Sequence, residues 1–197
     1  MNWHLLTGIT AGLIQLYAII PYVKSILKRE TKPNIISWTL WTLIQLVAIW
    51  IQASSSSGFS WSVILLIAMT FNTSFVVILC LMGYGSKEFG WIEKSCLAIA
   101  LIAIAFFAFT KNGPIALAFD ITADFIAAIP TIIKTWRNPR SEAYGPWLII
   151  TVAAALAVFS NETFTAENLS FPIYLTCVNA LIAGIAYFGR NKPKPLI

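Results

Sequence analysis

The sequence predicts an all-α integral membrane protein: seven transmembrane helices arranged as two parallel three-helix bundles joined by a linker helix (3+1+3). Three observations lead there. Of the 197 residues, 58% are apolar and only 11% charged, with a mean hydropathy of +0.79, whereas soluble domains carry about a quarter charged residues. The apolar residues gather into seven stretches, each close to the ~20 residues that cross a bilayer as a helix. Finally, an offset of 109 residues lays the first three stretches over the last three.

Hydropathy windows place the spans at Leu5 to Leu27, Ile35 to Ala53, Trp61 to Met82, Ser95 to Thr110, Pro114 to Thr135, Tyr144 to Ser160 and Phe171 to Tyr187. The opening Met1-Asn2-Trp3-His4 lacks a basic n-region and a small-residue cleavage site, so the first stretch is expected to stay as a mature helix. Cys80, Cys96 and Cys177 all lie inside apolar runs, which supports neither a disulfide framework nor a thiolate metal site.

The net charge of +5 is concentrated in alternate connections. Lys24, Lys28, Arg29 and Lys32 follow span one, and Lys87 and Lys94 follow span three. Lys134, Arg137 and Arg140 follow span five, and Arg190, Lys192 and Lys194 follow span seven. Only Lys111 falls on the other side, with Glu162 and Glu167. By the positive-inside rule the N-terminus is then outside and the C-terminus cytoplasmic, as an odd number of spans requires. Charge placed this way speaks for topology in a cell membrane and against a nucleic-acid partner. A bilayer is therefore the first partner expected.

At the 109-residue offset Ala18, Ile20, Pro21, Trp38, Thr42 and Ala48 meet identical residues at Ala127, Ile129, Pro130, Trp147, Thr151 and Ala157, and Trp50 meets Phe159. Both triplets have a basic first connection and a second without a basic cluster. One extra helix between two odd-numbered repeats makes them parallel. The expected units are 1–85 for the first bundle, 86–111 for the linker helix and 112–197 for the second bundle with its basic tail.

Within each repeat a helix proline precedes a short basic connection and a Ser or Pro that opens the next helix. Pro21 leads to Thr31-Lys32-Pro33 and Ser37-Trp38, and Pro130 to Arg140-Ser141 and Pro146-Trp147. This pattern resembles the SWEET and PQ-loop transporter superfamily, although Tyr22 and Thr131 stand where the Pro-Gln pair would place glutamine. The resemblance covers nearly the whole chain. It implies a carrier that moves a small polar solute, a sugar or an amino-acid-like molecule, by alternating access.

Polar residues in mid-span are the informative positions, because a central Asp costs about 2.5–3.5 kcal/mol even on lenient insertion scales and must face the bundle interior or water. Asp120 and Asp124 share one face of span five at i and i+4 with Ala127, and the matching face of span one carries Ala11, Gln15 and Ala18. Two carboxylates one turn apart cannot both ionise cheaply in lipid, so one is expected to hold a proton. Asp124, the deeper and favoured one, and Asp120 are the candidates for proton or cation coupling, and Gln15 of the matching face is a candidate to bind the solute. Permanently neutral acids that only bond neighbouring helices are the plain alternative.

Asn72 and Asn179 sit at mid-depth in spans three and seven, and an amide offers both donors and acceptors to a solute. Their resemblance to the paired Asn of SWEET carriers implies solute binding; an interhelical hydrogen bond is the alternative. That resemblance also implies that Trp50 and Phe159 cover the solute's apolar face, while packing or an interfacial belt would equally use aromatics there. Trp3, Trp61, Trp91 and Trp136 read as belt residues. Pro21 and Pro130 deep in their helices suit gating hinges or a static kink.

The Ser54 to Ser57 run reads as an outer turn, and the sequons at Asn161 and Asn168 occur too often by chance to argue a glycan. No phosphate cradle, metal-spaced His and carboxylate cluster or Ser or Cys beside a base appears, so neither an enzyme nor a cofactor is expected. A membrane receptor or trafficking adaptor on the same scaffold is the rival function. One chain holds both triplets and suffices for a pathway; self-association into a homo-oligomer is left open.

Overall fold

The structure is a computed structural model that describes residues 3–53, 62–86, 90–110 and 112–190. Ser54–Ser57, Trp61, Lys87, Lys111, Lys192 and Lys194, which entered the sequence reading, lie outside the described residues. Among the described residues seven α-helices form: α1 (Trp3–Leu27), α2 (Ile35–Ala53), α3 (Ser62–Leu79, extended by a π turn at Cys80–Tyr84), α4 (Trp91–Phe109), α5 (Gly113–Arg137), α6 (Tyr144–Val158) and α7 (Ala166–Gly189). Five apolar stretches, one in each of α1, α3, α4, α5 and α7, are long enough to cross a membrane; those of α2 and α6 are shorter. The chain is a helical membrane protein.

Two helices start well before their hydropathy boundaries because polar caps, which a hydropathy window ignores, set the first turn. The Gly90 N–H donates to the Glu93 carboxylate at 2.9 Å to open α4, four residues before Ser95. Thr165 accepts from the Asn168 N–H at 3.3 Å to open α7, five residues before Phe171. Asn34 and Asn112 cap α2 and α5 in the same manner. Helices α1 and α5 run on through Pro21 and Pro130, each of which removes one backbone hydrogen bond.

Burial is arranged for lipid. Leu13, Phe71, Leu81 and Ile102 are exposed, while Gln15, Gln45, Asn72, Asp124 and Asn179 are buried. Such an outer face would be a broad apolar patch in water, and it is the ordinary one in a bilayer.

Helix α3 packs against both α1 and α2, and α7 against both α5 and α6; α1 meets α6 and α2 meets α5, which closes a ring of six. Helix α4 stands outside it against α5 and α2, with Phe106 stacked on Phe119 at 5.0 Å. The basic connections converge on one end of this ring. There Arg29 donates to the Gly83 carbonyl and lies over the Tyr84 ring, and the Ser86 N–H donates to the Pro33 carbonyl. The Lys32 N–H reaches the Ser141 carbonyl, and Arg190 the Glu142 carbonyl. Trp3, Trp91 and Trp136 are exposed near helix ends.

Close approach at this end constrains one glycine. A Cβ on Gly189 would lie 2.3 and 2.6 Å from the Cγ and Cβ of Pro139, a ring that cannot swing aside. Gly189→Ala is expected to lower stability by about 1–3 kcal/mol, read as a drop in melting temperature in detergent. Gly145→Ala, whose Cβ would meet nothing within 4 Å, should stay within about 0.5 kcal/mol and serves as the control.

Candidate functional site

Inside the ring lies a cavity of about 50 Å³, room for a few waters. Helical spacing explains which residues reach it. On α1 these include Gln15, Ala18 and Tyr22, and on α2 they are Trp38, Trp41 and Gln45, in both cases at i, i+3 and i+7 on one helix face. From the other helices of the ring, α3 contributes Asn72 and Thr73, α5 Asp124, α6 Trp147 and α7 Asn179.

The cavity thus brings together four of the residues singled out by sequence. Gln15 and Asp124 are partners at the 109-residue offset, and both line it. Asn72 donates its amide to the Gln15 carbonyl, and its own side-chain oxygen is buried without a partner. Asn179 donates to the Leu175 carbonyl at 2.7 Å, one turn back on its own helix. Asp124 is held on two sides. The Tyr174 hydroxyl donates to its carboxylate at 2.7 Å, and the Trp41 indole N–H donates to its backbone carbonyl at 3.3 Å.

Other expected site residues fall elsewhere. Asp120 is buried, with one carboxylate oxygen unpartnered, but does not line the cavity. Trp50 and Phe159 are 56% and 50% exposed and also lie outside it; the Phe159 carbonyl accepts from the Thr7 hydroxyl at 3.2 Å. Pro130 is buried away from the cavity, and Pro21 borders a separate cleft at the basic end, with Lys24, Lys28 and Arg190. Among the described residues no three His, Cys, Asp or Glu side chains gather as a metal site requires.

Several contributors escaped the sequence reading. Gln45 lines the cavity and accepts from the Thr73 hydroxyl at 2.9 Å; as a mid-span glutamine one and two turns beyond two tryptophans it carried a visible signal. Tyr22, Trp38, Trp41 and Trp147 form an aromatic cluster with ring centroids 5.0–6.1 Å apart. Beneath it is the polar knot of the basic end. Glu142, fully buried, pairs with Lys134 and accepts from the Tyr22 hydroxyl at 2.9 Å and the Trp147 indole at 3.1 Å. Lys134 also donates to the Lys32 carbonyl.

Among known proteins the chain matches no family model, no curated sequence and no solved structure.

The knot makes a stability prediction. Glu142→Ala strands a buried ammonium and two ring donors, and removal of one member of such a pair costs about 3–5 kcal/mol. Thermal unfolding in detergent should show the loss. Glu142→Leu with Lys134→Met, which leaves no charge to compensate, should recover much of it. A double variant no more stable than the single one would contradict the ion pair as the origin.

Proposed function

We propose that the chain is a membrane carrier that moves a small polar solute by alternating access, on a 3+1+3 scaffold of the SWEET and PQ-loop type. The observation that carries this reading is the single cavity lined by Gln15, Asn72, Asp124 and Asn179, two from each half of the chain. Amides supply donors and acceptors for the solute, and Asp124 supplies a coupling proton or a counter-charge.

The repeat supports the scaffold. In each half the third helix packs between the first and second, and the contacts of α1 with α6 and α2 with α5 are the two that a two-fold relation would exchange. Trp38 and Trp147, partners at the offset, have ring centroids 6.0 Å apart. Thr42 and Thr151 donate to the Trp38 and Trp147 carbonyls at 2.9 and 2.8 Å. With the basic connections at one end, the positive-inside rule makes that end cytoplasmic and the N-terminus external, in a cell membrane.

A cavity of about 50 Å³ has room for only a few waters, so passage of a solute requires the helices to part. Helix segments beyond Pro21 and Pro130 are the hinges for this, since both lie near the end where the knot closes the ring.

The test is reconstitution in liposomes with labelled sugars, amino acids and vitamins under an imposed pH gradient. Saturable uptake is expected, with about a tenfold loss in Asn72→Ala and Asn179→Ala, the equivalent of about one lost hydrogen bond. In Asp124→Asn the gradient should no longer drive uptake. Gradient-driven uptake that survives this change would remove proton coupling through Asp124. Saturable binding without flux for every solute would replace the carrier with a receptor or adaptor.

A further inference from the structure

The substrate of the cavity can be narrowed by what its lining lacks. None of the residues that line it is Lys, Arg or His, and Asp124 is its one carboxyl. Asp120 lies one turn away on the same helix, while the nearest cation of the polar knot, Lys134, is already paired with Glu142. The electrostatic balance of the pocket is therefore acidic or neutral, never basic.

Hydrogen-bonding capacity points the same way. The side-chain oxygen of Asn72, a residue 4% exposed, is a buried acceptor with no partner. The carboxylate of Asp124 accepts from Tyr174 through Oδ2, and a carboxylate has room for further donors on its other oxygen. Both groups call for a ligand that donates. A carboxylate head group brings only acceptors, and in a pocket whose lining holds no cation it would meet Asp124 with no opposing charge.

The floor is aromatic. The Tyr22 hydroxyl and the Trp147 indole N–H are committed to Glu142, and the Trp41 indole N–H to the Asp124 carbonyl. Three of the four polar edges are thus engaged, and the Trp38 indole N–H alone is buried without a partner; the floor therefore offers mainly π surface to the cavity, and π faces attract ammonium groups.

From the acid, the orphan acceptor and the ring floor together, we infer that the carrier's substrate is an organic ammonium ion, its charged nitrogen between Asp124 and Asn72 and its carbon body over Tyr22, Trp38, Trp41 and Trp147. The inference rests on the reading of this cavity as the solute site, and it narrows that reading from polar solutes at large to protonated amines, whose N–H groups can meet the Asn72 oxygen.

Isothermal titration of the purified full chain in detergent tests it with probes of matched shape: phenethylamine as its ammonium, neutral 2-phenylethanol and anionic 3-phenylpropionate, with tetramethylammonium as the bare head group. Phenethylammonium should bind at least tenfold more tightly than 2-phenylethanol, tetramethylammonium, which has no N–H to donate, should bind more weakly than phenethylammonium, and 3-phenylpropionate should not bind. Asp124→Asn should abolish the preference for charge, and the comparison within the unaltered protein stands even if that variant fails to fold. Equal affinity for the ammonium and the alcohol, preference for the carboxylate, or no binding of either cation overturns the inference. Ammonium binding without flux in liposomes would overturn the carrier and leave this assignment standing; sugar flux without ammonium preference would do the reverse.

Discussion

The interaction on which the rest of the structure depends is the burial of Glu142 at the basic end of the ring. A carboxylate with no exposure is tolerable only when its charge and lone pairs are met, and here they are met from three helices: Lys134 of α5, Tyr22 of α1 and Trp147 of α6. That one side chain fixes two of the four rings beneath the cavity. It also draws in the α1–α2 connection, because Lys134 donates to the Lys32 carbonyl while the Lys32 N–H reaches Ser141. The two halves of the chain are thus joined by polar contacts at one end and by a cavity in the middle.

Much of the cavity was legible in the sequence because a polar residue in a hydrocarbon layer has few places to go. Gln15, Asn72, Asp124 and Asn179 are mid-span polar residues, and the cost of facing lipid turns each of them inward. Spacing alone does not decide between neighbours, however. Asp120 and Asp124 are one turn apart, and a four-residue step rotates a helix by about 40° beyond a full turn; only Asp124 lines the cavity. The offset that pairs Trp50 with Phe159 identifies equivalent positions without saying which way they point, and both are half exposed. The same offset paired Trp38 with Trp147, which do line the cavity, so the repeat held the right information in a different pair.

The knot was not legible for a different reason. Glu142 lies among basic residues in a connection, between Arg140 and the start of α6, and a charge there reads as a solvated surface residue. Its burial is a consequence of how the α5–α6 connection folds back over the bundle. Lys134 likewise counted as one of the basic residues that set topology, and its carboxylate partner is eight residues away across a turn rather than one helical turn along.

The two ends of the cavity are closed by unlike materials, and this bears on how a carrier of this shape would open. Toward the basic end lie the rings and the Glu142 knot; the opposite flank is a second apolar cluster of Ala11, Leu65, Met69, Ala154, Ala157 and Leu175. Apolar packing between helices loses little in a bilayer, since lipid tails offer comparable contacts. Parting charged and hydrogen-bonded groups is affordable only if water enters as they separate. In the proposed carrier, opening the apolar flank would break no charge pair or hydrogen bond between these side chains, whereas opening the basic end would require the hydration of charged groups as they part. Pro21 sits one residue before Tyr22, and Pro130 four before Lys134, so the weakened points of α1 and α5 adjoin two of the three groups that grip Glu142. In the proposed carrier, a helix that bent at either proline would carry a knot residue with it, and the bend and the release of the carboxylate would be a single event.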